Sequence, residues 1–435
     1  MFHVSRSPLQ PVKKWDRNLH KVLFPGGDSL YLFSMKKINS TGLLTLMVSS
    51  LPILHGCGSK DSGDQPATLP LLSIAAVSAP EGNGGNAPFV FEFTLDAAPS
   101  QQVSISVSTL DSTARATLDY VAITNRTILF DPGEKKKTLT VDVVGDEWKE
   151  GEEEFLLRLQ NPVGCRVISN FAKGVIQNDD SQIFFDDAGY TTPTSYPGYA
   201  LAWADEFNGS SLNLADWNFE SGDGCPNVCG WGNNELQWYT PGDNLYMQRG
   251  KMIIEARNET KGTKNYTSTR ITTQGKKTFT FGRIDIRAKL PYGQGVWPAL
   301  WMLGSNITSV SWPACGEMDI MELLGQEPNK VYSTVHFAQG TSPRNISKSV
   351  TKPQSFSDAF HVYSLVWEAD KMRFLVDDEL ISEVTKTDIS PNNYPFNNPF
   401  FFIFNIAVGG NWPGSPNAST RFPQWMFIDY VRVFQ

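Results

Sequence analysis

Three carboxylates fall within six residues of the stretch GEMDIMELLG, Gly316 to Gly325: Glu317, Asp319 and Glu322. Apolar residues flank them, and burying unpaired charge is costly, so the cluster requires a chemical reason. In a strand, alternate residues share a face. Glu317 and Asp319 then point one way, and Met318 and Ile320 the other. Glu322 lies three beyond Asp319, so strict alternation sends it into the core. One extra residue at Ile320–Met321, a β-bulge, restores the parity and turns all three acids to one side. Two neighbouring carboxyl groups, one ionised and one protonated, suit hydrolysis of a glycosidic bond with retention, which needs them about 5–5.5 Å apart. Four strand steps of ~3.3 Å separate the two Glu Cα atoms by about 13 Å, so strand curvature and long side chains must close the gap. Mutual repulsion, with Asp319 between them, pushes their titrations apart. Spacing alone does not say which Glu takes which role. A solvated acidic edge fits poorly beside Leu323 and Leu324, and a metal pair lacks a nearby His or further Asp.

The elements around this cluster are strands. KMIIEAR, FGRIDIRAKL, FHVYSLVWEA, KMRFLVDDELISEV, FFFIFNIAV and FIDYVRVF have period two or run continuously apolar, and no helix of three turns is evident. Asp377-Asp378 sits in an expected hairpin turn. Residues 199–435 therefore read as a large two-sheet sandwich. Upstream, residues 69–180 hold a second run of alternating strands with turns at DAAPS and DPGE, a smaller β-sandwich. Its acids, Glu81, Asp119, Asp146, Glu150, Glu153, Asp179 and Asp180, gather at strand ends. Such a pole of oxygen ligands suits calcium, and solvated loops account for it equally well. Residues 58–68 and 181–198 read as linkers. The expected fold class is all-β throughout.

Residues 1–57 read as an extension and a signal, with a true start at Met35. Lys36 and Lys37, an apolar run to Leu54 and then His55-Gly56-Cys57 follow the order of a secretory signal. A Cys after a small residue resembles a bacterial lipoprotein signal, in which Cys57 takes the lipid and anchors an exported protein at the cell envelope. The formal net charge of −8 excludes a nucleic-acid partner, which needs a basic footprint, and suits a neutral substrate. Cys225 and Cys229 could bridge within one Gly-rich loop or remain thiols, and Cys165 and Cys315 read as small buried residues.

Two resemblances sharpen these expectations. Residues 69–180 resemble a Calx-beta domain through Glu81-Gly82, Asp119-Tyr120, DPGEKKKTLTV, DEWKEGEEEF and the closing NDD at Asn178–Asp180. That likeness implies calcium at the acidic pole, although only one copy is present. Residues 199–435 resemble glycoside hydrolase family 16, in particular its laminarinase-like members. The likeness rests on WADEFNG, GWGNNELQWYT, FGRIDIRAKLPYGQGVWPALWMLG, WPACGEMDIME, FNIAVGGNWPG and IDYVRVF, in family order, with ExDxxE as the bulged strand. The resemblance implies a concanavalin-like β-jelly roll and an endo-acting, retaining β-1,3-glucanase that needs no cofactor for catalysis. It assigns Glu317 as nucleophile, Glu322 as acid/base and Asp319 as the group that tunes Glu317. It places sugar-binding at Asn233, Arg270, Trp297, Trp301 and Trp312, and His336 near the acid/base. It also implies a structural calcium on Glu206, the backbone of Gly250, and Asp429. By residue chemistry alone, Arg270 could equally pair with a core acid, a lone His336 is more often a satisfied core group, and Asp429 could sit in a salt bridge. The expected partner is a polysaccharide, the expected state a monomer. Mixed-linkage β-glucan, a red-algal galactan and a non-catalytic glucan-binding role are the rival expectations.

Overall fold

Strand patterning decides the architecture: within residues 68–435, which the computed structural model describes, buried and exposed positions alternate along front strands such as Gly85–Leu95 and Lys136–Gly145, whereas central strands of the back sandwich such as Lys251–Ala256 and Phe400–Val408 are buried throughout. The signal and Cys57 lie outside the described residues. The front sandwich packs a four-stranded against a five-stranded sheet. Phe89, Phe91, Phe93, Val141, Val143, Phe155 and Leu157 are fully buried between them, every second residue of their strands.

The back sandwich stacks a seven-stranded and an eight-stranded antiparallel sheet, a jelly roll. Met252, Ile254, Ile284, Ile286, Met426 and Ile428 of the larger sheet meet Leu300, Met302, Met318, Ile320, Phe402 and Phe404 of the smaller one in a single core. The only helices of the described residues are short, with Ile307–Val310 and Lys386–Ile389 one turn each. Asp377 and Asp378 turn the expected hairpin with φ of 53° and 62°.

The segment 181–198, read as a linker, is instead a strap. Ile183 and Phe185 are buried with Ile253, Phe360 and Phe427 against the outer face of the eight-stranded sheet. That face carries alternating charges, so a covering layer is needed to bury its apolar members. The described residues 68–435 consequently form one compact unit.

Candidate active site

The strand Glu317–Leu323 lies in the seven-stranded sheet between Val296–Gly304 and Lys330–Gln339. Its register slips on both sides. Leu300 faces Met321 while Trp301 faces Asp319, and on the other edge Asp319 faces Thr334 while Glu322 faces Tyr332. Ile320 and Met321 thus stand where one residue is in excess, and Ser333 Oγ donates to the Ile320 carbonyl at 3.0 Å. Met318, Ile320, Met321 and Leu323 all enter the core. The three acids are left on the opposite face.

Each Glu receives one indole N–H. Trp312 Nε1 donates to Glu317 Oε2 and Trp297 Nε1 to Glu322 Oε1, both at 3.1 Å. Single oxygens of Glu317 and Asp319 and a nitrogen of His336 lie within 4.8 Å of one another. His336 Nε2 approaches Asp319 Oδ2 at 3.3 Å and Glu317 Oε1 at 3.6 Å without the alignment of a hydrogen bond, and Asp319 Oδ2 is buried with no hydrogen-bond partner. His336 is therefore a neighbour of the acids and not a core residue.

The electrostatics follow from this shortage of cations. Burial, then Asp319 and Glu322, raises the Glu317 carboxyl to about 8, against the pull of His336 and Arg270. Burial and Asp319 raise Glu322 to about 8, against His336 and the Trp297 hydrogen bond. Burial pushes Asp319 well above the usual carboxylate range. Desolvation disfavours the ionised forms, so the trio gives up its protons above the usual carboxylate range. A pair of carboxyls that shares a proton can supply one acid and one nucleophile.

Around the acids stand the other expected residues. Arg270 pairs with Glu220 and lies between the rings of Trp231 and Trp301, 4.6 and 4.9 Å from their centroids. Its side chain is 12 % exposed, so it holds the platform together more than it offers donors. Trp301 Nε1 donates to Asn405 Oδ1 at 2.8 Å. Asn233 Nδ2 donates to Glu235 Oε1 at 3.3 Å. Trp312 is 46 % exposed, an open aromatic face beside Glu317.

Glu220, Glu235, Asn405, Tyr332, Trp231 and Trp412 also belong to the site, and none was among the residues expected from the sequence. Glu220, Arg270 and Asn405 are neighbours only because their strands pair. Trp412 meets Trp297 and Tyr332 edge-on at 5.5 and 4.9 Å. No local pattern marks such contacts. Cys225 and Cys229 form a disulfide in the loop before Asn233, while Cys165 and Cys315 are buried free thiols.

The expected calcium ligands of this domain meet a different arrangement. Glu206 places both oxygens on Arg432, at 2.7 and 2.8 Å. Asp429 gives Oδ1 to Lys251 at 2.8 Å and Oδ2 to Arg287 at 2.7 Å. Asp187 of the strap contacts the same two cations, at 3.2 and 2.9 Å. Gly250 turns the preceding hairpin with φ of 71°. An added divalent ion would face cations where it needs free oxygens, so these residues do not fit calcium. The salt-bridge reading of Asp429 describes the site.

The front sandwich differs. Single oxygens of Glu81, Asp179 and Asp180 gather within 4.8 Å, as do those of Asp119, Glu150 and Glu153. Glu81 is 4 % exposed, and Asp180 Oδ2 is buried with no partner. Oxygen-only groups without a cation fit calcium.

Comparison with known proteins agrees with this division. Residues 232–432 match the family model described as glycosyl hydrolases family 16, and residues 88–180 match that of the Calx-beta domain. The chain is 42 % identical over 275 residues to "Glucan endo-1,3-beta-glucosidase A1" of Niallia circulans, covering 58 % of this chain and 40 % of that one. It is 40 % identical over 252 residues to "Beta-glucanase" of Rhodothermus marinus, covering 55 % of this chain and 86 % of that one. The laminarinase catalytic domain of Thermotoga maritima superposes with a TM-score of 0.52 at 42 % identity, covering 55 % of this chain and 98 % of that one. The chain thus spans less than half of the Niallia protein and most of the other two.

Proposed function

The chain belongs to glycosyl hydrolases family 16, and on that premise we propose that it hydrolyses internal bonds of β-1,3-glucan with retention at the anomeric carbon. The observation that carries this reading is the bulged strand: three acids on one face, with an indole N–H on each Glu and, among the described residues, no Lys or Arg in a salt bridge with the trio.

In the first step an oxygen of Glu317 bonds to the anomeric carbon as the glycosidic bond breaks. Glu322 gives its proton to the leaving oxygen. In the second, Glu322 takes a proton from water, whose oxygen displaces Glu317 and restores the free acid. The Trp312 N–H leaves Glu317 one oxygen free for attack, and the Trp297 N–H holds Glu322 in place. Asp319, its carboxyl raised by burial, stands between the two Glu residues and raises both of them by its charge. Trp301, Trp312 and Trp412 offer aromatic faces to pyranose rings, and Arg270 fixes one of them.

The test is release of reducing sugar from a panel of polysaccharides with product analysis. Laminarin-type glucan should give oligosaccharides, with the first-formed product retained at the anomeric centre. Cleavage confined to mixed-linkage glucan or to a galactan would replace the substrate. Binding without cleavage would replace the activity.

We infer further that the acidic pole of the front sandwich takes calcium through Glu81, Asp179, Asp180, Asp119, Glu150 and Glu153. Isothermal titration with calcium chloride reads this, and no heat at millimolar calcium sinks it. Export as an envelope lipoprotein with lipid on Cys57 rests on the order of Lys36-Lys37, apolar run and Cys57. A Cys57→Ser chain that still fractionates with membranes would refute the anchor.

A further inference from the structure

A cleft of 1220 Å³ opens between the front sandwich and the outer face of the eight-stranded sheet, outside the catalytic machinery. One wall is the loop Trp148–Glu153 with Arg115 and Asp119. The other is made by residues 257–259, 289–292 and 421–425 of the catalytic domain.

Both walls are fixed in place. Lys149 crosses from the front loop to the wholly buried Glu255, at 2.7 Å, and to the Tyr246 hydroxyl, also at 2.7 Å. The same carboxylate receives Trp425 Nε1 at 3.2 Å and the Arg257 guanidinium at 2.5 Å. A buried acid with this many donors ties the two domains together. The cleft is therefore present before any ligand arrives.

Three aromatic side chains in the cleft have no place in any apolar core. Trp148 and Phe184 meet edge-to-face at 5.1 Å, and Phe184 is 62 % exposed. Tyr292, on the facing wall, is 51 % exposed. Each wall carries both signs: Asp119, Glu150, Glu152 and Glu153 with Arg115 on the front wall, and Arg257, Lys289 and Arg421 with Glu259 opposite. Even with one calcium ion on Asp119, Glu150 and Glu153, that cluster stays net negative and Glu152 adds to it, so a polyanion is disfavoured, and a lipid tail would strand the charges of both walls. A neutral sugar chain suits both kinds of surface. Its C–H faces stack on aromatic rings and its hydroxyls both donate and accept.

One loop runs from the catalytic face to the cleft. Trp412, against Trp297 and Tyr332, begins a loop whose later residues Thr420 to Pro423 line the cleft. This loop is pinned on the way, with the Pro413 carbonyl accepting from Gln294 at 2.6 Å and from Gln326 at 3.1 Å. Thr420 Oγ1 donates to the Gln294 carbonyl at 2.8 Å.

On these grounds, and resting on the function proposed above, we propose that the interdomain cleft is a second glucan-binding site. It holds a distant part of the polymer whose cut point lies over Glu317. Two tethered contacts on one chain raise the effective concentration at each. The gain applies to long chains and is absent for oligosaccharides too short to reach both sites.

The test uses the full chain with Trp148→Ala and, separately, Tyr292→Ala. Trp148→Phe keeps an aromatic face, and melting temperature controls for folding. KM is measured on laminarin and on a β-1,3-linked tetrasaccharide, and retention on insoluble linear β-1,3-glucan. Each Ala variant should raise KM for laminarin about five-fold, in line with loss of one stacking contact, and lower retention to match. The tetrasaccharide KM should not move, and Trp148→Phe should stay near the parent. Unchanged laminarin KM and retention in both Ala variants overturn the proposal, as does an equal loss on the tetrasaccharide. A parent that cuts no β-1,3-glucan overturns the function instead. Retention then decides the cleft by itself, and equal retention of parent and variants overturns it.

Discussion

The two faces of the catalytic sandwich use buried carboxylates in opposite ways. On the outer face of the eight-stranded sheet every such acid meets a full cation: Glu255 with Lys149 and Arg257, Asp285 with Arg283, Asp429 with Lys251 and Arg287. On the exposed face of the seven-stranded sheet, Glu317, Asp319 and Glu322 meet two indoles and one histidine. Removing one member of a buried ion pair leaves an uncompensated charge, so the first set holds structure. The second set is left short of positive charge, its protons are held by burial, and that state is reactive. Buried acid by itself says nothing about function; the partner decides.

The comparison can be broken most directly at Glu317. Glu317→Gln should lower kcat on laminarin by at least about 1000-fold, the scale of losing a participating group. The same variant should melt no lower than the parent. A matching loss of fold would place Glu317 in the structural class. Glu255→Ala should do the reverse, costing about 3 kcal/mol of stability by breaking a buried pair, with kcat on the tetrasaccharide unaltered. Chemical denaturation beside kinetics at one pH reads both.

Stability against pH separates the faces further. The folded carboxyls of Glu317 and Glu322 are raised to about 8 from 4.5. Between those values the native state binds more protons than the unfolded one, so this contribution is full below 4.5 and is lost as pH rises through 8. The melting advantage of Glu317→Gln over the parent should therefore grow from pH 5 to pH 9. A constant difference would remove the raised carboxyl from the account.

The smallest expected effects are shifts of the pH–rate profile. Activity needs Glu322 protonated, so it should fall as pH passes about 8. The Trp297 hydrogen bond lowers Glu322, so Trp297→Phe should move the alkaline limb to higher pH and leave the acid limb in place. His336 lowers both Glu317 and Glu322. Ionisation of Glu317 sets the acid limb, so His336→Gln should move both limbs upward. Movement of one limb alone in that variant would remove His336 from one of the two acids.

Much of the site was legible because its central element is local. Alternation, three acids and one surplus residue at Ile320–Met321 determine which side chains share a face, and the strand keeps that order in the fold. The patterning of the flanking runs likewise determined two β-sandwiches and the turn at Asp377-Asp378. Tertiary structure alone decided which acids are neutralised. Glu206 finds Arg432 across 226 positions and Asp429 finds Arg287 across 142, so the expected calcium ligands became salt bridges. It also turned a linker into a strap, set Arg270 between two indoles, and closed Lys149 onto Glu255 to make the interdomain cleft. The reason is range: strand period acts between adjacent residues, whereas a buried charge is stabilised by whatever the folded chain brings within a few ångströms, and spacing along the chain does not record that.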